Sequence, residues 1–496
     1  MIIDKDLLSI QNARILAENA FEAQKKLAAF PQEKLDRIVD AVVGEVAKRT
    51  RELAVLSHEE TGYGRWEDKW RKNRFVCEAL GEQLRGMRCV GVLREDDQRR
   101  IMDIGVPLGV IVALCSPTSP VSTTVYTTLI ALKSGNSVIF SPHPKAARCM
   151  GAALDIMMAA AHSCGLPEGC LSYLGPVTAS GTQELMHHAA TSLVMVSGVP
   201  GMFAEAKASG KPVIWGGTGS GPAFVERSAD IPRAVADIVA SKTFDNGIAP
   251  CAEQSIVVDA PVVGDVRQAL QTYGAYFMTD GESCDLAALF FHPDGRRNNT
   301  VIGLPATVLA KKAGFSVPDK TTLLIAGRKY VCPSDPYSRE FLGPVLACYV
   351  ESDWLHACEK CIELLLHERN AHSLTVHSRD EEVIRQFALK KPVGRLLVNT
   401  PAAFGGMGMS TNLFPAMTLG GGAAGFGITA DNVSPLNLVY TRKVGYGARL
   451  PDRAHEATLA TTGAEAHDDG GDKGRRALRR ILLEAIRAGI GSATIS

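Results

Sequence analysis

The chain has 496 residues, with 53 basic and 53 acidic side chains and therefore no formal net charge near neutrality. That length implies two or three domains with sizeable cores. Balanced charge without a dominant basic block argues against a nucleic-acid partner and for a small-molecule one.

The first hundred residues read as helices. "SIQNARILAENAFEAQKKLAAF" and "EKLDRIVDAVVGEVAKRTRELAVLSHEETG" repeat apolar residues every three or four positions. The N-terminus lacks the basic region, apolar core and cleavage site of a secretory leader, and no run of 18 apolar residues occurs, so a cytoplasmic chain without a membrane span is expected. "RRIMDIGVPLGVIVALCSP" then reads as two short strands, broken at Gly105, Pro107 and Gly109. From there strands ("GVIVALCSP", "NSVIFSPHP", "LSYLGP", "TSLVMVSGVPG", "KPVIWGG") alternate with helical stretches, the pattern of parallel βαβ units with helices on both faces. Ligands on such sheets bind beyond the carboxyl ends of strands. Three of these ends, "CSPTSP", "FSPHPK" and "SGVPGM", are rich in Gly, Pro or Ser.

A second alternating series follows Cys251: "QSIVVDA", "PATVLAKKAGF", "TLLIAG", "GPVLACYVES", "HSLTVHS" and "GRLLVNTP". It predicts a second α/β domain facing the first across a cleft near residue 240. Twelve scattered cysteines (77, 89, 115, 149, 164, 170, 251, 284, 332, 348, 358 and 361) form no disulfide framework and point to a reducing compartment. Cys358 and Cys361 have CxxC spacing, but they lie in a helical pattern with no second pair nearby; the structural reading is favoured and no metal site is expected. Residues 451–473 are rich in Ala, Thr, Gly and Asp, as in a flexible linker. Residues 474–491 then place Leu478, Ile481, Leu482, Ala485 and Ile486 on one helical face and Arg475, Arg476, Arg479 and Arg480 largely on the other.

Seven stretches in order, "SPTSPVSTT", "FSPHPKAA", "SGVPGM", "TFDNGIAPCAEQS", "REFLGPVL", "AHSLTVHS" and "LGGGAAGFG", resemble the CoA-acylating branch of the aldehyde dehydrogenases. The likeness runs from residue 1 to about 450 and looks strongest to the propionaldehyde and acetaldehyde enzymes of bacterial microcompartments. It implies an α/β, aldehyde dehydrogenase-like fold. Residues 1–240 would form a Rossmann-like NAD-binding domain with arm strands near 93–107. Residues 241–432 would form the catalytic domain, and 433–450 an oligomerisation strand, with a homodimer or homotetramer expected.

The resemblance makes Cys251 the catalytic thiol. The chemistry is coherent on its own terms, because a thiolate can add to an aldehyde carbon and give an adduct that loses hydride to become a thioester. Such a thiol is expected to have a lowered pKa and some exposure. The oxyanion needs donors: one is the Cys251 N–H, and where relatives carry an asparagine this chain reads Thr118-Ser119-Pro120, leaving Ser119 or Thr118 for the role, or Ser119 as a loop cap. Hydrolytic relatives place a glutamate before a Gly-Gly pair, where Ile214 and Trp215 precede Gly216-Gly217. Coenzyme A is therefore the implied acyl acceptor. For NAD the resemblance implies Ser141, Pro142 and His143 at the adenosine side, Ser197, Gly198 and Gly201 at the pyrophosphate, where a helix N-terminus favours negative charge, and Glu340 with Phe341 at the nicotinamide ribose. His372 stands either as a proton shuttle for the CoA thiol or as a structural histidine.

The tail resembles an encapsulation peptide, implying shell proteins as partners and a microcompartment lumen as location. A membrane-surface helix and an oligomer contact are the other readings of residues 474–491. A hydrolytic aldehyde dehydrogenase and a non-catalytic cargo protein are the competing readings of the whole chain.

Overall fold

The computed structural model describes residues 4–217, 219, 221–367 and 372–448; the linker expected at 451–473 and the helix at 474–491 lie outside the described residues. The chain divides into a main unit, Met1–Glu95 with Met102–Val444, and a small one comprising Asp96–Ile101 and the segment beginning at Gly445. Within the small unit Tyr446 N donates to Arg100 O at 3.1 Å and the Arg100 guanidinium to Gly447 O at 2.9 Å.

Helices fill the first eighty residues, as their periodicity predicts. Lys5–Leu27 is capped by Asp4, whose carboxylate accepts from Asp6 N and Leu7 N. Its buried stripe of Ala13, Ala17, Ala20 and Ala23 lets the backbone lie close to a sheet. Strands β1 (Gly91–Asp96) and β2 (Ile101–Pro107) follow, and then five parallel strands: β3 (Val110–Cys115), β4 (Ser137–Ser141), β5 (Leu171–Tyr173), β6 (Thr191–Ser197) and β7 (Val213–Gly216). Their order is β5-β4-β3-β6-β7, so the chain reverses direction across the sheet between β3 and β6. Side chains alternate between two cores: Val110, Val112 and Leu114 face the Ala stripe, while Ile111, Ala113 and Cys115 face helices 32–47, 120–133 and 147–163.

The second sheet holds β8 (Pro222–Val225), β9 (Ser255–Asp259), β10 (Ala275–Phe277), β11 (Leu323–Gly327), β12 (Val345–Glu351), β13 (Ser373–His377) and β14 (Arg395–Val398). All seven are parallel, in the order β10-β11-β12-β9-β8-β13-β14. A last strand, β15 (Val439–Gly445), joins β1 and β2 in a three-stranded sheet. One expectation is corrected here. The change of sheet falls between Gly216 and Pro222, well before residue 240, because the four residues of β8 and the helix Ile231–Thr243 already belong to the second sheet. A four-residue strand behind a Gly-rich run carries too little periodicity to be read.

Phe224 on β8 is fully buried and stacks on Phe387 with ring centroids 4.9 Å apart. Phe224→Ala is expected to lower unfolding free energy by about 3–5 kcal/mol, read as an earlier midpoint in urea with unchanged slope; a change below ~1 kcal/mol would show that this contact does not hold the second sheet.

Candidate active site

Helix Ile231–Thr243 runs into a tight turn, Phe244–Gly247, in which Asp245 and Asn246 both adopt left-handed backbone (φ 51° and 52°). Gly247 follows at φ 74°, where an added Cβ would sit 2.4 Å from Gly343 O. These constraints aim the next residues toward a cavity before the chain enters β9, and Cys251 lines it. The first sheet contributes the residues after β3 (Ser116, Thr118, Ser119), the end of β6 (Ser197, Gly198) and the end of β7 (Gly216, Gly217). The second sheet contributes Cys251, just before β9, and His372, just before β13. Carboxyl ends of one parallel sheet thus face amino ends of the other, at the point where the first sheet's strand order reverses.

Cys251 does not have the acidity expected of it. It is 5% exposed, and its Sγ donates to Ala403 O at 3.4 Å. Burial pushes the thiol up to about 12, with nearby Glu253 acting in the same direction; its own backbone N–H, Arg395 and Lys72 act against it. Cys115 and Cys361 are pushed equally high by burial. What sets Cys251 apart from the other cysteines is its place, not its pKa. Cys358 and Cys361 lie in the core on one helix, Trp354–His367.

Beside the thiol lies a cluster that sequence reading missed. Lys69, Lys72 and Asp245 are all buried. Lys72 Nζ donates to Asp245 Oδ2 and to Ser119 Oγ, both at 2.6 Å. Lys69 Nζ donates to Asp245 Oδ2 at 3.2 Å and to Thr118 O at 2.8 Å. Burial alone would raise the Asp245 carboxyl, yet the two lysines and the Arg65 N–H hold it below its ordinary value. Burial pushes Lys69 down to about 8. In the sequence these lysines are two members of a charged helix, "WEDKWRKNRF", where the default reading is a solvated face; only their depth reveals them. Thr118 and Ser116 engage each other through their hydroxyls at 2.8 Å.

His372 is buried at the cavity wall, its Nδ1 2.8 Å from Ser373 Oγ. Burial, reinforced by Arg395, pushes it down to about 3, so it is a neutral imidazole. The Arg395 guanidinium donates to His372 O, Ser373 Oγ, Gly420 O and Ala430 O.

The residues expected at the dinucleotide separate into groups. Ser141, Pro142 and His143 line a second cavity with Leu114, Val199 and Met202, at the carboxyl ends of β3, β4 and β6. Ser197 and Gly198 line the Cys251 cavity. Gly198 has φ 68°, and a Cβ there would meet Ser116 Cβ at 3.0 Å, so β6 backbone itself forms the surface, as a closely approaching pyrophosphate requires. This geometry fits a dinucleotide. Gly201 is exposed, in the short turn Pro200–Met202, and lines neither cavity. Glu340 is buried and engaged, accepting from Gly219 N at 2.9 Å and pairing with Arg297 at 3.2 Å, and it too lines neither cavity. Phe341 corrects the expectation of a cofactor contact: its ring packs among Phe290, Phe291 and Tyr337, 4.8–5.1 Å between centroids, because an aromatic ring is better buried there.

Ile214 and Trp215 are buried, and Trp215 stacks on Phe203 at 4.4 Å, away from the thiol. Among the described residues lining the Cys251 cavity, Lys72, Cys251 and His372 are the titratable ones and none is a carboxylate.

A family model described as the aldehyde dehydrogenase family matches residues 7–286. The bifunctional aldehyde-alcohol dehydrogenase of Escherichia coli K12 is 36% identical over 441 residues, covering 88% of this chain and 49% of that protein. The chain thus spans about half the length of the curated relatives it first matches. The crystal structure of an acetylating aldehyde dehydrogenase from Geobacillus thermoglucosidasius has a TM-score of 0.87 at 36% identity, covering 91% of this chain and 100% of that one. A propionaldehyde dehydrogenase from the Clostridium phytofermentans fucose utilisation bacterial microcompartment has a TM-score of 0.77 at 25% identity, covering 88% and 98%. The expected order of likeness is therefore corrected: the microcompartment enzyme is more distant than the acetylating and bifunctional ones.

With the thiol raised to about 12, the thiolate fraction grows with pH throughout the neutral range. Iodoacetamide alkylation of Cys251 in the substrate-free protein should rise about tenfold per pH unit between about pH 6 and about pH 9. A plateau below about pH 8 would mean that the thiolate is already formed and that burial does not control it.

Proposed function

The chain belongs to the aldehyde dehydrogenase family, and we propose that it oxidises a short aliphatic aldehyde to its acyl-CoA, with NAD as hydride acceptor and Cys251 as nucleophile. The observation that carries this reading is a cavity that holds a thiol but, among its described lining residues, no carboxylate. In the proposed reaction the Cys251 thiol loses its proton to solvent, the thiolate adds to the aldehyde carbon, and the former carbonyl oxygen takes negative charge opposite the Cys251 N–H and Ser119. The bound dinucleotide supplies the hydride acceptor. Loss of hydride leaves an acyl thioester on Cys251. Water then lacks a carboxylate to activate it, so the thioester waits for a better nucleophile. A CoA thiolate adds to the acyl carbon, and Cys251 leaves with the electrons of its C–S bond. The CoA thiol loses its proton to solvent before attack, and His372, held neutral and weakly basic by burial, stays an uncharged wall residue.

The cavity is about 50 Å³, and a water-sized group needs roughly 10–15 Å³, so it suits an aldehyde of two to four carbons; within that range we take propionaldehyde as the substrate, with acetaldehyde as the other candidate. We further assign residues 474–491 to association with a microcompartment shell, since an apolar stripe beside an arginine face seeks another surface. The mostly exposed strands β1 and β15, on either side of the half-buried β2, support an oligomerisation arm and a dimer or tetramer.

Steady NADH formation from propionaldehyde and NAD should require CoA, and Cys251→Ala should lower turnover by about 10⁴-fold or more. Sustained turnover without CoA would show a hydrolytic enzyme, and unchanged turnover in Cys251→Ala a different nucleophile. Deleting residues 452–496 should leave activity intact and abolish co-purification with shell proteins; retained co-purification would refute the tail assignment.

A further inference from the structure

Ser119 and Thr118 both line the Cys251 cavity, and their hydrogen bonds separate them as candidate donors to the adduct's oxygen. The Thr118 hydroxyl is engaged with Ser116 Oγ, and its carbonyl with Lys69. Ser119 Oγ instead meets the ammonium of Lys72 at 2.6 Å. An ammonium has protons only to give, so Ser119 Oγ is the acceptor there and its own proton points elsewhere. Among the described residues no protein group accepts that proton, and Ser119 lines the same cavity as Cys251. Lys72 is itself fixed, with Asp245 Oδ2 at 2.6 Å and Asp245 held in turn by Lys69 and the Arg65 N–H.

We propose that Lys72, anchored on Asp245, is a positioning residue that makes the Ser119 hydroxyl a committed donor to the oxygen of the aldehyde adduct on Cys251. A hydroxyl, unlike an amide N–H, can serve as donor or acceptor, so a serine in this place needs a neighbour that settles the choice. Lys72 settles it by occupying an oxygen lone pair, and its charge strengthens the O–H as a donor. The inference rests on Cys251 being the nucleophile but not on which acceptor removes the acyl group.

The test is the first-turnover rate of NADH formation from propionaldehyde and NAD without CoA, beside the rate of iodoacetamide alkylation. Ser119→Ala should lower the first-turnover rate by about 10²-fold. It should leave alkylation within about threefold, because that reaction at the same sulfur creates no oxyanion. Lys72→Met should lower the first turnover similarly, and the double variant should be no more than about threefold slower than the worse single, since both act through one hydrogen bond. Ser119→Asn, which brings its own N–H donor, should recover at least about tenfold over Ser119→Ala, and should do so in the Lys72→Met background too.

Thermal unfolding of each variant separates lost folding from lost rate. If Lys72→Met does not fold, the Ser119→Ala and Ser119→Asn pair decides by itself. The proposal is overturned by a full first turnover in Ser119→Ala, by losses that multiply in the double variant, or by Ser119→Asn no better than Ser119→Ala. A normal first turnover in the unaltered protein without transfer to CoA would refute the acylating reading and leave this one standing. A first turnover that survives Cys251→Ala would refute both.

Discussion

The carboxylate of Asp245 joins three segments distant in sequence. It is fully buried, accepts from Lys69, Lys72 and the Arg65 N–H, and sits in left-handed backbone six residues before Cys251. Its own N–H donates to Asp68 at 2.9 Å. Gly64 completes the fit, since any Cβ there would fall 1.9 Å from Asp245 Oδ1. Burying one carboxylate and two ammonium groups costs several kcal/mol per ion before their attraction is counted, so an arrangement like this persists only with close geometry on every side. The consequence is that the helix Trp66–Phe75, the loop after β3 and the turn before β9 hold fixed positions relative to one another.

That fixed frame bears on how, in the proposed reaction, a thiol no more acidic than its buried neighbours serves as the nucleophile. Cys361 is equally protonated but sits in a packed core, and Cys115, raised as far, lines the second cavity and not this one. Cys251 stands at a cavity with Lys72 and Arg395 near enough to favour its thiolate. Glu253 acts in the opposite direction. Its carboxyl is pushed up to about 7 by burial, and it accepts from Ala402 N at 3.0 Å, tying down the short helix Ala402–Met407 whose Ala403 carbonyl receives the thiol proton. The resting site thus stores the nucleophile as a thiol, and the charge that would stabilise its anion is already in place.

Much of the scaffold was legible because parallel sheets buried on both faces leave near-continuous apolar runs, such as "VIVALC" in β3 and "SIVVD" in β9. The place of the sheet change was not, since β8 has four residues. Within the site, Cys251, Ser119, Ser197, Gly198 and His372, which the family resemblance implies, line one cavity, and Gly-, Pro- or Ser-rich strand ends mark part of its wall. Phe341 follows a motif residue, but its ring turns into the second core, a direction that sequence does not carry at loop positions, and Gly201 lies on an exposed turn outside both cavities. Lys69 and Lys72 were invisible for a related reason. Whether a lysine on an amphipathic helix is solvated or buried depends on what packs against it, and here that is Asp245 from 173 positions or more along the chain.

The same frame bears on which nucleophile ends the reaction. Gly219 N is held by Glu340, itself paired with Arg297, and a Cβ at Gly219 would lie 1.5 Å from Pro250 O, immediately before the thiol. The backbone after β7 is therefore pressed against the nucleophile turn, while Trp215 points into the opposite core against Phe203. Ile214 faces the other way, in the apolar cluster that also holds Cys251, and its hydrocarbon side chain supplies no base there. Around Cys251 stand Lys72, Arg395 and an uncharged His372, opposed by the buried Glu253, which does not line the cavity. Such surroundings stabilise an incoming thiolate and do little to deprotonate water, whose pKa lies far higher than a thiol's. In the proposed reaction the preference for a thiol acceptor thus follows from a cavity wall that, among its described residues, carries no carboxylate.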